Sequence, residues 1–451
     1  MAGIAEVLLN LGYSISGSDL KRNQLIDHLE GLGATIVLGH RAENLPLNTA
    51  VVVVSSAVNQ ANPEVAEAAH RHIPVIPRAE MLGELMRMKY GIAVAGSHGK
   101  TTTTSMTAKI LLDGGLDPTV IIGGRVLSQL SGACVGTGQY LVAESDESDG
   151  SFLLLKPAIA VVTNIDREHL GHYGSFGALE ESFAQFMGSV PFYGLVVACF
   201  DDPVVARLAR NLKRRVLSYG LSPEHDIYAT DITIDGPSSS FTLFVEGKEV
   251  MRTTIPMLGS HMVSNSLAAI AVGMEVGLYP DEACAALSSF AGVARRSEVV
   301  YRDGGVVVLD DYAHHPRELV ATLGGIRRGW VPTMARYAPD GSDGRLIVVF
   351  QPHRYSRTRE LFSEFITSFG DADQVIVTEV YSAGEEAIVG VDGRSLASAM
   401  QHPSVSFIPE IADVVPELLS RVLPGDVVVT VGAGSVTQVA HQFGKALAER
   451  Q

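Results

Sequence analysis

The sequence predicts an α/β protein of about three domains, and three observations support this prediction. The chain has 451 residues, and a common domain spans roughly 150 residues. Short apolar runs rich in Val and Ile recur without polar alternation, as in strands that are buried on both faces of a parallel sheet. Helical patterns separate these runs, and such alternation is typical of α/β architecture.

The predicted elements follow in chain order. The apolar runs predict strands at 51–54, 92–95, 141–143, 159–162, 195–198, 306–309, 346–350, 375–377 and 427–431. The first residues predict a helix at 4–11 and a strand at 13–16, and later helices are predicted at 101–112, 203–211, 265–276 and 359–369. Residues 227–250 alternate Thr, Ile, Phe and Val with polar residues around turns, which predicts an antiparallel insertion.

Two breaks in this pattern indicate domain boundaries. Pro74 and Pro77 favour an extended connection that closes a first unit, and Arg295-Arg296 precede a new strand. We therefore expect domains at 1–78, 79–292 and 293–451. A nucleotide-binding α/β domain normally opens with a strand and a glycine-rich turn. Because this chain opens with a helix, we expect that the first strand is missing from a truncated start; the alternative is a domain that simply begins with a helix.

Composition excludes some classes of function. The formal charge of -16 argues against a nucleic-acid-binding protein, which would usually carry a basic face. No apolar run approaches 18 residues, so no membrane span is expected. The three cysteines form no C-x-x-C pair, which favours a reducing compartment and gives no indication of zinc. The start lacks the marks of a signal peptide, and we expect a cytoplasmic protein.

The most informative segment is a glycine turn between the strand at 92–95 and the helix at 101–112. Two glycines permit backbone conformations in which N–H groups point at phosphate oxygens. A lysine there can bridge the β- and γ-phosphates, and the following threonine can ligate Mg²⁺. The spacing is shorter than in a standard Walker A loop, and the alternative is a plain strand–helix turn. The segment reads Gly96, Ser97, His98, Gly99, Lys100, Thr101 and Thr102.

Two further polar loops follow buried strands. Glu144 begins a run with four carboxylates in six residues, which suits the hard oxygen ligands of Mg²⁺; the alternative is a solvated acidic loop. His169 and His172 follow the strand at 159–162. Either histidine is a candidate to ligate a second ion or to position phosphate, although a lone histidine is more often structural.

Several later polar segments also lie where α/β domains bind ligands, at the carboxyl ends of strands. Asp311 and His314 follow one strand, and three arginines in six residues, including Arg354 and Arg357, follow another. Arginines suit carboxylates and phosphates, and the alternative for this segment is a solvated basic patch.

Together these motifs resemble the Mur ligase family, and within it the alanine-adding subgroup. The resemblance spans nearly the whole chain in the expected order. It rests on the loop at 96–101, the acidic run at 144–149, Asp-Tyr-Ala-His-His-Pro at 311–316 and Gln-Pro-His-Arg-Tyr-Ser-Arg-Thr at 351–358. Gly171, Met262 and Ser297 depart from the family pattern.

The resemblance implies fold and activity. It implies a Rossmann-like N-terminal domain for the uridine nucleotide, a central P-loop-type ATPase domain and a C-terminal Rossmann-like domain. The implied reaction joins L-alanine to UDP-N-acetylmuramate through an acyl phosphate in peptidoglycan precursor synthesis, with ATP and Mg²⁺ as cofactors. Partners would be these small molecules only, and the enzyme would be a monomer or a homodimer.

The resemblance also implies residue roles. Catalytic residues would be Lys100, Glu144 and His169, and the metal ligands would be Thr101, Glu144 and His169. ATP would contact Gly96, Ser97, His98, Gly99, Lys100, Thr101, Thr102, Asn265, Arg296, Asp311 and His314. The other substrates would contact Asp19, Ser55, Ser56, Arg354 and Arg357.

Three alternatives stay open. A ligase that recycles muropeptides joins a whole peptide to UDP-N-acetylmuramate and is the nearest of them. A folate polyglutamylating ligase fits the acidic and double-histidine motifs less well. A nucleotide-binding protein without catalysis would explain the departures from the family pattern.

Overall fold

The computed structural model describes residues 1–55, 58–122, 133–339 and 341–450. Its strands are β1 Ser16–Asp19, β2 Thr35–Leu38, β3 Val52–Val54, β4 Val75–Pro77, β5 Tyr90–Ala95, β6 Thr119–Ile121, β7 Ala133–Cys134, β8 Tyr140–Glu144, β9 Ile159–Val162, β10 Leu195–Cys199, β11 Val216–Gly220, β12 Ile227–Asp235, β13 Ser238–Val245, β14 Lys248–Ile255, β15 Glu298–Asp303, β16 Val306–Asp311, β17 Leu346–Phe350, β18 Gln374–Val377, β19 Val405–Phe407 and β20 Val427–Val431. Each predicted apolar run coincides with a strand, except that Val51 precedes β3.

The helices separate these strands as the sequence predicts. They are α1 Ala2–Asn10, α2 Gln24–Gly31, α3 Pro63–His70, α4 Arg78–Arg87, α5 Lys100–Asp113, α6 Leu170–Tyr173, α7 Phe176–Gly188, α8 Pro203–Arg210, α9 Ser260–Glu275, α10 Pro280–Ser288, α11 Pro316–Ala335, α12 Tyr355–Glu360, α13 Phe362–Phe365, α14 Gly393–Ala399, α15 Ile411–Arg421 and α16 Thr437–Glu449. Among the described residues, no helix has both the length and the apolar character that a bilayer crossing requires.

The chain divides into two compact units. Unit 1 contains residues 1–230, 243–251 and 264–287, and unit 2 contains residues 231–242, 252–263 and 288–451. The boundaries expected after residues 78 and 292 stay predictions.

The central sheet places three loops at one edge of unit 1. Strand β5 lies between β8 and β9, and it is parallel to both. Its residues from Gly91 to Ala95 are buried, because the sheet is covered on both faces. Since the carboxyl ends of neighbouring parallel strands meet at one edge, the segments after β5, β8 and β9 come together there.

The antiparallel insertion is confirmed by β12, β13 and β14, which are neighbours at the other end of this sheet. Two-residue turns join them. The second turn, Glu246-Gly247, has positive φ at both positions, as the tight turns favoured in antiparallel hairpins require.

Two predicted elements were wrong in detail. The strand expected at 13–16 begins at Ser16, because Gly12 turns the chain at a φ of 87° and Tyr13 donates its N–H to the Leu8 carbonyl at the end of α1. The helix expected at 359–369 is divided into α12 and α13 by Leu361, whose φ of -109° and ψ of 21° are not helical.

Unit 2 contains a six-stranded sheet of order β15-β16-β20-β17-β18-β19. Only the pair β15–β16 is antiparallel, and the other strands are parallel. Valine-rich β20 is buried along its whole length at the centre. This doubly covered parallel sheet confirms the predicted α/β fold.

Candidate active site

The phosphate loop connects β5 to α5 through residues 96–99. Both glycines of the loop have positive φ, 136° at Gly96 and 82° at Gly99. A Cβ on Gly96 would lie 2.1 Å from Thr163 Oγ1, and one on Gly99 would lie 2.7 Å from Asn265 Oδ1. Larger residues are therefore excluded by conformation and by space. The N-terminus of α5 follows at once and adds partial positive charge for an anion.

The segment that follows β9 fixes the shape of this loop. Asn164 Oδ1 accepts the His98 N–H at 2.8 Å, and Asn164 Nδ2 donates to the His98 carbonyl at 3.0 Å. The Asn164 carbonyl also accepts the Ser97 N–H at 3.0 Å. The Thr163 hydroxyl adds a bond of 2.6 Å to the same His98 carbonyl. The loop is thus held in its shape by Thr163 and Asn164, which directly follow β9.

Replacing Asn164 by alanine is expected to raise the KM for ATP about thirtyfold, because two hydrogen bonds of about 1 kcal/mol each would be lost from the loop. Steady-state kinetics with varied ATP would measure the change. The control is Asn211→Ala, which removes an exposed amide that bonds only its own helix, at the Arg207 carbonyl. An unchanged KM in the Asn164 variant would show that the loop keeps its shape without the amide.

Lys100 begins α5 and forms a buried ion pair. Its Nζ lies 2.8 Å from Glu147 Oε2, and these side chains are only 14% and 1% exposed. Burial is the largest single effect and disfavours the ammonium, but the carboxylates of Glu147, Asp146 and Glu144 together outweigh it and raise the pKa of Lys100. Burial raises the pKa of Glu147 to about 7, against the opposing effect of Lys100. Lys100 therefore carries its charge at the place where phosphate oxygens would bind.

A threonine and a carboxylate stand side by side next to the loop. The Thr101 hydroxyl donates to Glu144 Oε2 at 2.9 Å. Two adjacent ligands of an octahedral Mg²⁺, each at about 2.0–2.1 Å from the ion, are separated by about 2.9 Å. The donor set and its spacing therefore fit the metal site that the sequence predicts.

His169 lies close to Glu147, on the segment after β9. It precedes α6 with a φ of 57°, and its Nε2 is 3.7 Å from Glu147 Oε1. Ligand atoms of Glu147, Glu168 and His169 all lie within 4.8 Å of one another. This arrangement brings the predicted ligand His169 to the same edge of the sheet as Thr101 and Glu144.

The other predicted loop residues have more local contacts. His98 Nε2 lies 3.3 Å from Asp166 Oδ2, and the Ser97 hydroxyl accepts the Asp166 N–H at 2.8 Å. Thr102 is buried in the first turn of α5, and Asn265 lies against Gly99. Each of these residues belongs to the loop or its immediate support.

In unit 2, arginines gather around the end of β16. The guanidinium of Arg296 lies 5.4 Å from the centre of the Tyr312 ring, and its Nη1 lies 3.8 Å from Glu318 Oε1. Arg295 lies over the same ring at 4.9 Å and pairs with buried Asp310 at 3.2 Å. These contacts fix Arg296 at the edge of the sheet with its charge partly accessible.

Asp311 is buried at the end of β16, and backbone groups engage both of its oxygens. Oδ2 accepts the Ser297 N–H at 2.6 Å, and Oδ1 accepts the Ala313 N–H at 2.8 Å. Burial raises the pKa of Asp311, against the opposing effect of Arg296. The observed bonds show that Asp311 fixes the backbone of the loop around Ser297. Its contact with ATP stays a prediction.

Histidines and arginines meet at the ends of β16 and β17. The rings of His314 and His353 have centres 5.9 Å apart, and Arg357 Nη1 lies 3.2 Å from His353 Nδ1. Arg354 has a φ of 70° and donates its N–H to the Tyr381 carbonyl at 2.8 Å. Burial, and then His314 and the two arginines, lower the pKa of His353 to about 4. The cluster is suited to anionic groups such as carboxylates.

The contribution of His261 to the stability of the chain is expected to fall as the pH drops from about 6.5 towards 4. Burial, and then Arg296, lower the pKa of His261 to about 4, so the folded state keeps this ring neutral while the unfolded chain takes up a proton near pH 6.5. Each pH unit in this window should cost about 1 kcal/mol. Urea unfolding at several pH values would measure the loss.

The variant His261→Gln should show a smaller loss of stability across this window than the original chain. His441→Gln, at an exposed position on α16, is the matched control and should leave the pH dependence unchanged. A constant difference in unfolding free energy between the His261 variant and the original chain at all pH values would contradict the prediction.

The residues predicted to bind the uridine substrate lie in the N-terminal segment. Asp19 ends β1, where its Oδ1 accepts the Lys21 N–H at 3.2 Å, and Ser55 follows β3. Ser56 lies outside the described residues. The roles of all three stay predictions.

The three departures from the family pattern have different surroundings. Met262 is buried in α9, and Gly171 in α6 has open space where a Cβ would stand. The Ser297 hydroxyl donates to Asp311 Oδ2 at 3.1 Å. Ser297 therefore has a polar contact with a predicted site residue, Asp311.

Sequence reasoning missed the roles of Glu147 and Asn164. Glu147 lies in the acidic run at 144–149 but received no predicted role, and Asn164 lies outside the predicted site segments. Their positions in the sequence could have indicated these roles, because both residues follow buried strands. The sequence does not show the strand order, which places β8 and β9 on either side of β5.

Comparison with known proteins agrees with this geometry. Residues 1–90 match the profile described as Mur ligase family, catalytic domain, residues 94–273 match the Mur ligase middle domain, and residues 295–434 match the Mur ligase glutamate ligase domain. The chain belongs to the Mur ligase family, as its motifs predicted.

Its relatives point to one member of that family. The chain is 51% identical over 444 residues to the UDP-N-acetylmuramate–L-alanine ligase of Geotalea uraniireducens (strain Rf4), covering 98% of this chain and 94% of the relative. It is 49% identical over 452 residues to the enzyme of that name from Geotalea daltonii (strain DSM 22248 / JCM 15807 / FRC-32), with coverage of 100% and 96%.

Solved structures share the fold. The crystal structure of UDP-N-acetylmuramate-alanine ligase from Thermotoga maritima matches with a TM-score of 0.79 and 25% identity, covering 100% of this chain and 97% of that chain. A murein peptide ligase from Psychrobacter arcticus matches with a TM-score of 0.66 and 24% identity, covering 99% and 96%. The second match shows the fold alone.

Proposed function

We propose that this chain is the ligase that joins L-alanine to UDP-N-acetylmuramate, at the cost of ATP, in peptidoglycan precursor synthesis. The observation that carries the proposal is the phosphate loop with Lys100 at the start of α5 and Glu144 beside Thr101. The 51% identity to a ligase of that name, over 98% of the chain, supports the choice of substrates.

Mg²⁺ is part of the proposal because the donor set fits it. Thr101 and Glu144 would hold the ion, and His169 would serve a second one beside the γ-phosphate. When bound, the metal supplies positive charge that neutralises the phosphate oxygens. The hard oxygen donors of Thr101 and Glu144 are the kind that Mg²⁺ prefers.

The reaction needs positive charge because two anions must meet. The lactyl carboxylate attacks the γ-phosphate, which forms an acyl phosphate and releases ADP. The amine of L-alanine then attacks the acyl carbon, and phosphate leaves. Lys100 stabilises the charge on the β- and γ-phosphates, and the loop N–H groups between Gly96 and Thr101 orient them.

By the family resemblance, residues of unit 2 are assigned to ATP and to the substrates. Arg354 and Arg357 are assigned to substrate carboxylates, because guanidinium groups bind carboxylates in a bidentate way. Arg296, Asp311 and His314 are assigned to ATP by the family resemblance. Asp311 would act through the loop that it shapes, since its oxygens already accept backbone N–H groups.

Product analysis tests the substrate assignment. The chain is incubated with ATP, Mg²⁺, UDP-N-acetylmuramate and either L-alanine or the tripeptide L-alanyl-γ-D-glutamyl-meso-diaminopimelate, and the products are identified by mass spectrometry. We expect the alanine conjugate and no tripeptide conjugate. A tripeptide conjugate formed at the higher rate would instead assign the chain to muropeptide recycling.

The same assay with glycine or L-serine measures selectivity. A difference of one methyl group supplies only about 1–3 kcal/mol of discrimination, so some glycine conjugate is expected at high concentration. We also propose that the enzyme acts in the cytoplasm as a monomer or homodimer. The free state of Cys134, Cys199 and Cys284 fits a reducing compartment.

A further inference from the structure

Protein acceptors fully engage the ammonium group of Lys100. Its Nζ donates to the Gly96 carbonyl at 2.7 Å and to the Ser97 carbonyl at 3.2 Å. It also lies 2.8 Å from Glu147 Oε2 and 3.1 Å from Oε1. An ammonium has three N–H donors, and these acceptors use all of them. A phosphate oxygen can bond Lys100 only if one of the present partners gives way.

Glu147 has two further contacts beside its ion pair with Lys100. The Tyr173 hydroxyl donates to the Glu147 backbone carbonyl, and His169 Nε2 lies 3.7 Å from the carboxylate. The side chain of Glu147 is 1% exposed, so water does not compensate its charge. A buried lysine without a counter-ion strongly destabilises a fold, and Glu147 supplies that counter-ion.

The two carbonyl partners of Lys100 belong to a loop that Asn164 and Thr163 fix. These carbonyls would move only if the hydrogen bonds to His98 were broken. The carboxylate, in contrast, carries a negative charge that an incoming phosphate can match. Glu147 is therefore the partner that a nucleotide displaces at least cost.

We propose that Glu147 is a positioning residue that holds Lys100 beside the phosphate loop and yields it to the phosphates of the nucleotide. The proposal rests on the nucleotide site of the proposed function. Nucleotide binding then replaces the ion pair between Lys100 and Glu147 by an ion pair between Lys100 and phosphate. Because the first pair must be broken, the net affinity for the nucleotide is lower than the attraction between Lys100 and phosphate alone would give. The exchange keeps Lys100 ordered in the free enzyme and permits ADP to leave after turnover.

The test is the affinity for ADP of the full chain with Glu147→Gln. The amide keeps the shape and removes the competing charge, so we expect the Kd for ADP, measured by calorimetry with Mg²⁺, to fall about tenfold. The KM for ATP should fall and kcat should fall with it, because ADP leaves more slowly. A residue with only a structural role would weaken ADP binding when replaced.

Two further variants keep the result interpretable. Glu181→Gln makes the same change at an exposed position on α7, and it should leave the Kd unchanged. Glu147→Asp keeps the charge on a shorter side chain, and its Kd should lie between those of the original chain and the Gln variant. If the Gln variant does not fold, a Kd for the Asp variant equal to or above that of the original chain overturns the proposal.

The outcomes separate this inference from the function on which it rests. ADP binding by the original chain together with unchanged or weaker binding by folded Glu147→Gln would overturn the exchange and leave the ligase assignment intact. No ADP binding by the original chain would contradict both. Tighter ADP binding by Glu147→Gln than by the original chain, with a Kd for Glu147→Asp between the two, would support the exchange.

Discussion

Replacement of Lys100 by alanine is expected to lower the rate of ligation about a thousandfold, because it removes a charged donor aimed at the phosphates in a buried site. The fold should survive. Glu147 would lose its counter-ion, but burial already raises the pKa of this carboxyl to about 7, so the carboxyl can take up a proton. Rates of product formation and the unfolding midpoint of the variant would be measured together.

Lys109 on the same helix provides the matched control. It pairs with Asp113 at 2.7 Å on a solvent-accessible face, and exposed pairs contribute about 0–1 kcal/mol to stability. Lys109→Ala should therefore keep near-normal activity. Normal turnover by Lys100→Ala would show that the phosphate loop does not work as described.

Replacement of Glu144 by glutamine is expected to lower activity about a hundredfold at ordinary Mg²⁺ concentration, because a neutral amide binds a hard cation less well. Thr101 would keep a hydrogen-bond acceptor at the position of Glu144 Oε2, so the loop itself should persist. Activity would be measured over a range of Mg²⁺ concentrations.

The dependence on Mg²⁺ distinguishes a ligand from a structural residue. For Glu144→Gln, the concentration that gives half-maximal activity should rise, and high Mg²⁺ should restore part of the rate. Asp113→Asn, at an exposed position of α5, should leave the Mg²⁺ dependence unchanged. A uniform loss of activity at every Mg²⁺ concentration would argue against metal binding by Glu144.

The local parts of the fold and site could be predicted from the sequence. Buried strands such as β5 and β20 are continuous apolar runs, because both faces of their sheets are covered. The phosphate loop was evident because its chemistry lies within six consecutive residues, from Gly96 to Thr101. The link of this loop to Mg²⁺ stays a prediction, which the hydrogen bond between the Thr101 hydroxyl and the Glu144 carboxylate supports.

Other parts depend on contacts between distant segments. Lys100 can pair with Glu147, and Asn164 can bond His98, only because β8 and β9 flank β5. No local sequence pattern specifies that strand order. The break between α12 and α13 arises at a single residue, Leu361, inside a pattern that otherwise suits a helix. Such features are set by packing rather than by propensity.

The central claim is that this chain transfers phosphate from ATP only to make an amide from UDP-N-acetylmuramate and L-alanine. The most direct measurement is phosphate release from ATP with both substrates present and with each omitted in turn. We predict rapid release with both, and little release when either UDP-N-acetylmuramate or L-alanine is absent. Phosphate release at the same rate with and without the two substrates would contradict the claim, and so would the absence of release with both present.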